Sequence, residues 1–152
     1  MTYTDAQGRR QILDTLARAT EQLAVALAAL GGAYEQLDER TADRLEEELF
    51  RPVQLAYGRA QRVHAGFAQR SGLAGRAFAQ PPAGSPSHGA RGLIDRGLGG
   101  VASAEDALAT LQDSMLPVEA GDQELRAGLS DVRERLAGLP ARARELVRVL
   151  GR

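Results

Sequence analysis

Apolar residues recur at steps of three and four along most of the chain, the spacing that gathers side chains on one face of an α-helix. The first such run is Ile12, Leu16, Ala19, Leu23, Ala26 or Leu27, and Leu30. Ahead of it, Thr4-Asp5-Ala6-Gln7 has the form of a capping box and predicts the helix start. Gly31-Gly32 predicts its end, because glycine readily takes the left-handed conformation that follows a helix C-terminus. A second helix is predicted from Ala33 to Gln69, with Tyr34, Leu37, Leu45, Leu49, Val53, Ala56, Ala60, Val63 and Phe67 turned inward. It contains Pro52, which lacks an N–H and crowds the carbonyl of Glu48, so a kink is predicted there.

From Ser71 to Ala102 the pattern lapses. Eight glycines and Pro81, Pro82 and Pro86 fall in this stretch, which reads as a loop inserted between helices. Two apolar pieces within it, Leu73 to Phe78 and Leu93 to Leu98, are long enough for one or two helical turns. Ser103 then resembles an N-cap for a third helix, Ala104 to Leu116, with Leu108, Leu111 and Met115 inward. A fourth helix from Asp122 carries Leu125, Leu129, Val132, Leu136, Leu139, Ala143, Leu146 and Leu150 through Pro140, so one long element kinked near Gly138 is predicted. The expected fold is all-α, an antiparallel four-helix bundle with two long Pro-kinked helices. A single domain spans 1–152, with a Gly/Pro-rich insertion over 71–102 between helices 2 and 3.

Composition agrees with that fold and narrows the chemistry. Hydrophobic residues make up 43% of the chain but aromatic ones only 4%, so the core is filled by Leu, Ala and Val, which suits close-packed helices better than sheets. A net charge of −1 removes the strongly basic balance that argues most simply for nucleic acid or an anionic membrane. All 19 positive side chains are Arg, in keeping with a GC-rich, bacterial-like coding sequence. Without Lys there is neither a Schiff-base amine nor a P-loop lysine. Without Cys there are no disulfides, thiolate nucleophiles or Cys-ligated metals. No apolar run reaches the 18 or so residues of a membrane span, and a cytoplasmic location is expected.

Several motifs fail on context. Gly97-Leu98-Gly99-Gly100-Val101-Ala102 has the GxGxxA form of a dinucleotide site, but no strand precedes it. Gly84 and Gly89 have the P-loop separation and are followed by Ala90 and Arg91 rather than Lys and Ser or Thr. A di-iron bundle needs Glu-x-x-His pairs; Gln61 precedes His64 and Ser85 precedes His88 at that spacing. Asp43, Glu46 and Glu47 share a helical face that is expected to meet water. No catalytic residue, cofactor site or metal site is therefore predicted, and no enzymatic activity.

Charge is segregated in blocks. Glu35 to Glu48 holds seven acids and two Arg, Arg51 to Arg96 seven Arg and one acid, Glu105 to Glu124 six acids and no base, and Arg126 to Arg152 seven Arg and three acids. Helix-dipole complementarity and pairing of opposite blocks across helices account for such a pattern. Arg59, Arg62, Arg70 and Arg76, with Tyr57, Phe67 and Phe78 among them, form a possible anion-binding set. The leading expectation is a non-catalytic interaction or scaffolding protein that self-associates as a homo-oligomer, because the predicted second and fourth helices outlast the first and third and leave apolar stripe uncovered. Two alternatives stand beside it: a binder of nucleic acid or a phosphate-bearing ligand through the Arg block, and a small-molecule-binding protein or enzyme with a pocket under the central loop.

Overall fold

The computed structural model describes residues 2–150, leaving aside the side chains of residues 2–4 and 86; the chain is already helical from Thr2, ahead of the start that the Thr4 capping box predicts. Among the described residues all regular structure is helical, and no helix is long and apolar enough to cross a membrane. The elements are α1 (Thr2–Glu35), α2 (Glu39–Leu45), a π-helical turn (Glu46–Phe50), α3 (Arg51–Ser71), a 3₁₀ turn (Pro86–His88), α4 (Gly89–Asp113), α5 (Leu116–Ala120), α6 (Gln123–Leu136) and α7 (Leu139–Leu150).

Helix α1 does not stop at Gly31-Gly32, as the glycine pair had predicted. A Cβ at Gly32 would come within 2.9 Å of the Ala83 Cβ and 3.2 Å of Leu93 Cδ1, so this glycine permits a close approach rather than a helix end. The reversal falls later, where Asp38 starts α2: its carboxylate accepts from the Thr41 N–H at 2.9 Å and the Thr41 hydroxyl at 3.0 Å. Those bonds, the amide first, hold the Asp38 carboxyl below its usual value.

The chain stays helical through Pro52, the second residue of α3. One turn widens before it, with the Arg51 N–H reaching back to the Glu46 carbonyl. The Glu48 carbonyl, which a residue other than proline would have bonded, accepts a long contact of 3.4 Å from Arg142 Nη1. Around Pro140 the outcome differs from the single kinked helix expected. Ala137 turns extended with ψ 140°, Gly138 takes φ 83°, and α7 begins anew with Pro140 in its first turn.

The largest correction concerns residues 71–102. The third helix begins at Gly89, not Ala104, and the loop shrinks to 72–85. Leu93 and Ile94 are inside α4 and buried, whereas Leu73 to Phe78 forms no helix. Gly97 and Gly100 lie where α4 meets α1. A Cβ at Gly97 would touch Leu30 at 3.0 Å, and one at Gly100 would stand 2.6 Å from the Gln22 carbonyl oxygen. The apparent nucleotide motif is thus a helix-contact face.

Residue numbers fall along α1 as they rise along α4, from Gly32 beside Leu93 to Gln22 beside Gly100, so these helices run in opposite directions. α1 and α3 do too, with Gly31 near Phe50 and Asp14 sharing a groove with His64. α6 opposes both α3, through Arg59–Asp131 and Arg70–Asp122, and α4, through Arg133–Glu105 and Gln112–Ser130. α3 and α4 are therefore parallel to each other, and their connection must travel back along the molecule. It lies along α1 as a strap: Leu73 meets the groove beside Leu13, Arg76 pairs with Glu21 at 3.1 Å, and Ala83 reaches Gly32. From residue 13 to residue 32, α1 advances about 28 Å at ~1.5 Å per residue. Residues 73 to 83 cover that distance only when nearly extended, since a helix over the same residues would reach about 15 Å.

The core holds the inward positions expected of the first run, together with Leu45, Leu49, Val53, Ala56, Ala60, Val63, Phe67, Leu108, Leu111, Leu125, Leu129, Val132, Leu136, Leu139, Ala143 and Leu146. Each fully buried Leu contributes roughly 1.5–3 kcal/mol. Tyr34 and Met115, expected inward, are 40% and 63% exposed, because Tyr34 ends α1 and Met115 follows the end of α4. At 34 and 25 residues α1 and α4 are long, so the first and third helices do cover their partners and the uncovered stripe is missing. The large apolar side chains exposed among the described residues are Tyr34, Leu55, Met115, Val118 and Val149.

Candidate functional site

The four arginines singled out as an anion-binding set do not form one cluster. Arg59, Arg62 and Arg70 lie on the seam of α3 with α6, and Arg76 lies on the strap. Arg59 Nε donates to Asp131 at 2.8 Å. Arg70 grips Asp122 through Nε and Nη2 at 2.7 and 2.9 Å and reaches Glu124 through Nη1 at 2.8 Å. The Arg59 hydrogen bond lowers the pKa of Asp131. At Asp122 burial pushes upward, yet the Arg70 hydrogen bond and the Leu125 N–H together carry the carboxyl below its usual value. Asp122 therefore caps α6 and anchors α3 with the same oxygens. On the other side of α6, Arg133 donates to Glu105 at 2.7 Å and Gln112 at 2.6 Å, and Gln112 passes a bond to Ser130. The opposite charge blocks thus meet across helices, as the sequence predicts, and three of the arginines carry carboxylates already.

A different surface combines apolar floor and unclaimed charge. Where α7 lies against the start of α4, an open groove of about 380 Å³ has Leu98, Ala143 and Val147 along its base. Arg91, Arg144 and Arg148 stand around it with Asp95, all four exposed. Among these arginines only Arg148 has an ion pair among the described residues, with Glu145 at 3.4 Å on the same helix, while Asp95 stands one turn from Arg91. α7 is positioned by Gly138, which releases it from the line of α6, and by Leu139, Ala143 and Leu146, which bury its inner face. The apolar spacing does not mark this groove, because one of its walls lies in the glycine-rich stretch that reads as a loop.

α2 packs on α7 through its buried side, and its outer face, continued into the π-helical turn, is acidic. Glu39, Asp43, Glu46 and Glu47 are exposed there at helical spacing, as expected of a face turned to water. No group of carboxylates and histidines suited to a metal ion occurs among the described residues.

A second concavity, of about 370 Å³, lies under the strap and includes His64, which is 3% exposed. In the sequence His64 has Gln61 where a Glu-x-x-His pair needs Glu, and its neighbours Asp14 and Arg76 come from α1 and the strap, so no spacing marks the site. Comparisons of the chain with protein-family models, with curated proteins and with solved structures find no match.

Proposed function

We propose that the chain is a non-catalytic helical interaction protein that self-associates in the cytoplasm through the Arg-rimmed groove between α4 and α7. The observation that carries this reading is the groove itself, an apolar floor bordered by exposed arginines of which Arg91 and Arg144 hold no ion pair among the described residues. Apolar floor supplies the burial that drives association, and the guanidinium rim selects an acidic partner. A second copy of this chain offers such a partner in Glu39, Asp43, Glu46 and Glu47, with exposed Tyr34 close in sequence as an aromatic anchor. A two-fold axis would let each copy give its acids to the other's groove, closing the assembly as a dimer. The architecture behind this reading is an antiparallel four-helix bundle of α1, α2–α3, α4 and α6–α7 with a bend at Pro52, supported by the opposed directions of adjacent helices and the π-helical turn.

Light scattering across a concentration series tests the proposal. A dimer is expected at roughly millimolar chain concentration, weakening as salt rises because the contact is electrostatic at its rim. Arg144→Glu should dissociate it, and mixing Arg144→Glu with Asp43→Arg should restore a heterodimer by exchanging the charges. A strict monomer under all these conditions overturns the reading.

A further inference from the structure

We infer that the groove beneath the strap binds a small molecule carrying one carboxylate on an apolar body. The site is walled by three separate parts of the chain: α1, α3 and the strap. Its volume, about 370 Å³, falls in the roughly 300–1,000 Å³ range of small-ligand sites. Leu13, Ala17 and Leu73 supply apolar wall, which suits a hydrocarbon or ring and not a bare inorganic ion.

At its base lies a polar side chain that the fold leaves partly unused. His64 is buried, and its Nδ1 makes no hydrogen bond within the protein. A buried polar atom without a partner is costly, and such atoms are rare in folded chains. Phe78 of the strap meets the imidazole edge to face, with ring centres 5.2 Å apart, and the Arg76 guanidinium lies over Phe78 at 4.6 Å. The strap thus holds aromatic and cationic groups against the histidine.

The lining charges narrow the ligand. Arg10 and Asp14 stand one turn apart on α1 and Arg76 enters from the strap already paired with Glu21, so Arg10 is the lining guanidinium left to take a single carboxylate. Arg76 spends Nη2 on Glu21, leaving other donors of its planar fork for a carboxylate. Arg10 has no ion pair among the described residues.

Phenylacetate is a suitable probe, with inorganic phosphate and uncharged phenylethanol as controls, followed by NMR of the full chain at the His64 and Phe78 rings. A His88→Gln variant assigns the two imidazoles. Phenylacetate should shift both rings saturably, and Arg10→Gln should weaken it about tenfold, the worth of one charge-assisted hydrogen bond. Phosphate and phenylethanol should bind at least tenfold more weakly. Arg10 and Arg76 are both exposed, so Arg10→Gln keeps the test valid even where Arg76→Gln loosens the strap. No saturable shift with phenylacetate, equal affinity in Arg10→Gln, or preference for phosphate would each overturn the inference. The dimer test uses other residues, so the two can fail separately.

Discussion

Residues 72–85 and 89–102 are adjacent stretches of equal length and similar character, yet one is an extended strap and the other the first half of α4. Glycine content does not separate them: the helical stretch has five glycines and the strap three. At roughly 1 kcal/mol per glycine relative to alanine, the helix carries the larger intrinsic penalty. Two physical differences decide the outcome. The strap contains Pro81 and Pro82 and must span about 28 Å of α1 with ten residues, which only extended chain can do. The helical stretch contains no proline, and its inward positions Leu93, Ile94, Gly97, Gly100 and Val101 hold helical spacing. Two of those are glycines because α1 lies too close for a side chain. Packing offsets propensity, and the same residue type ends order in one place and permits contact in another.

Proline separates the two stretches most sharply. Gly99 is exposed in mid-α4, so Gly99→Pro should cost about 3 kcal/mol or more in urea denaturation, whereas Ala79→Pro in the strap should stay within about 1 kcal/mol. Similar losses from both would break the distinction. Adjacent glycines provide a finer comparison. Gly100→Ala places a Cβ against the Gln22 carbonyl and should cost roughly 1–3 kcal/mol by overpacking. Gly99→Ala meets nothing within 4 Å and should stabilise by about 0.5–1 kcal/mol. Equal effects at the two sites would mean that α4 does not face α1 through Gly100.

A smaller effect concerns the strap's hold on His64. Burial, then the charge of Arg76, lowers the imidazole pKa from its ordinary 6.5, with Asp14 opposing; Arg10 also faces the groove. The unfolded chain then takes up this proton at higher pH than the folded one, so stability is lost as pH falls below about 6.5. His64→Leu should flatten the stability profile between about pH 7 and 5. Asp38, Asp122 and Asp131 are held below 3.8, so their contributions fade only in more acidic solution and leave that window clear. An unchanged slope in His64→Leu would show that the strap does not enclose the histidine.

Legibility in the sequence followed the strength of the local signal. Helical spacing from Ile12 to Leu30 and from Leu125 to Leu146 located the buried faces, because large apolar residues mark a face without ambiguity. Helix ends were harder. Gly31-Gly32 carries the local mark of a terminus, but the contacts of Gly32 with Ala83 and Leu93 come from the distant strap and α4 and leave no trace in the local spacing. Likewise Gly138 and Pro140 could kink a helix or divide it, and the left-handed backbone at Gly138 divides it. The charge blocks are visible and imply pairing of opposite blocks across helices, as Arg70–Glu124 and Arg133–Glu105 show, whereas Arg59–Asp131 joins two Arg-rich blocks and leaves no such mark. The grooves were not, since each joins side chains from distant segments, one of them assigned to the wrong kind of structure.

Native-state amide hydrogen exchange, read residue by residue over 72–102, most directly tests whether these two glycine-containing stretches are different structures. Leu93 to Val101 should exchange slowly, at rates approaching those of the α1 core, while Ala74 to Ala83 should exchange fast, with a boundary near Gly89. Uniformly fast exchange across both stretches would contradict the helix and, with it, the groove that α7 shares with α4.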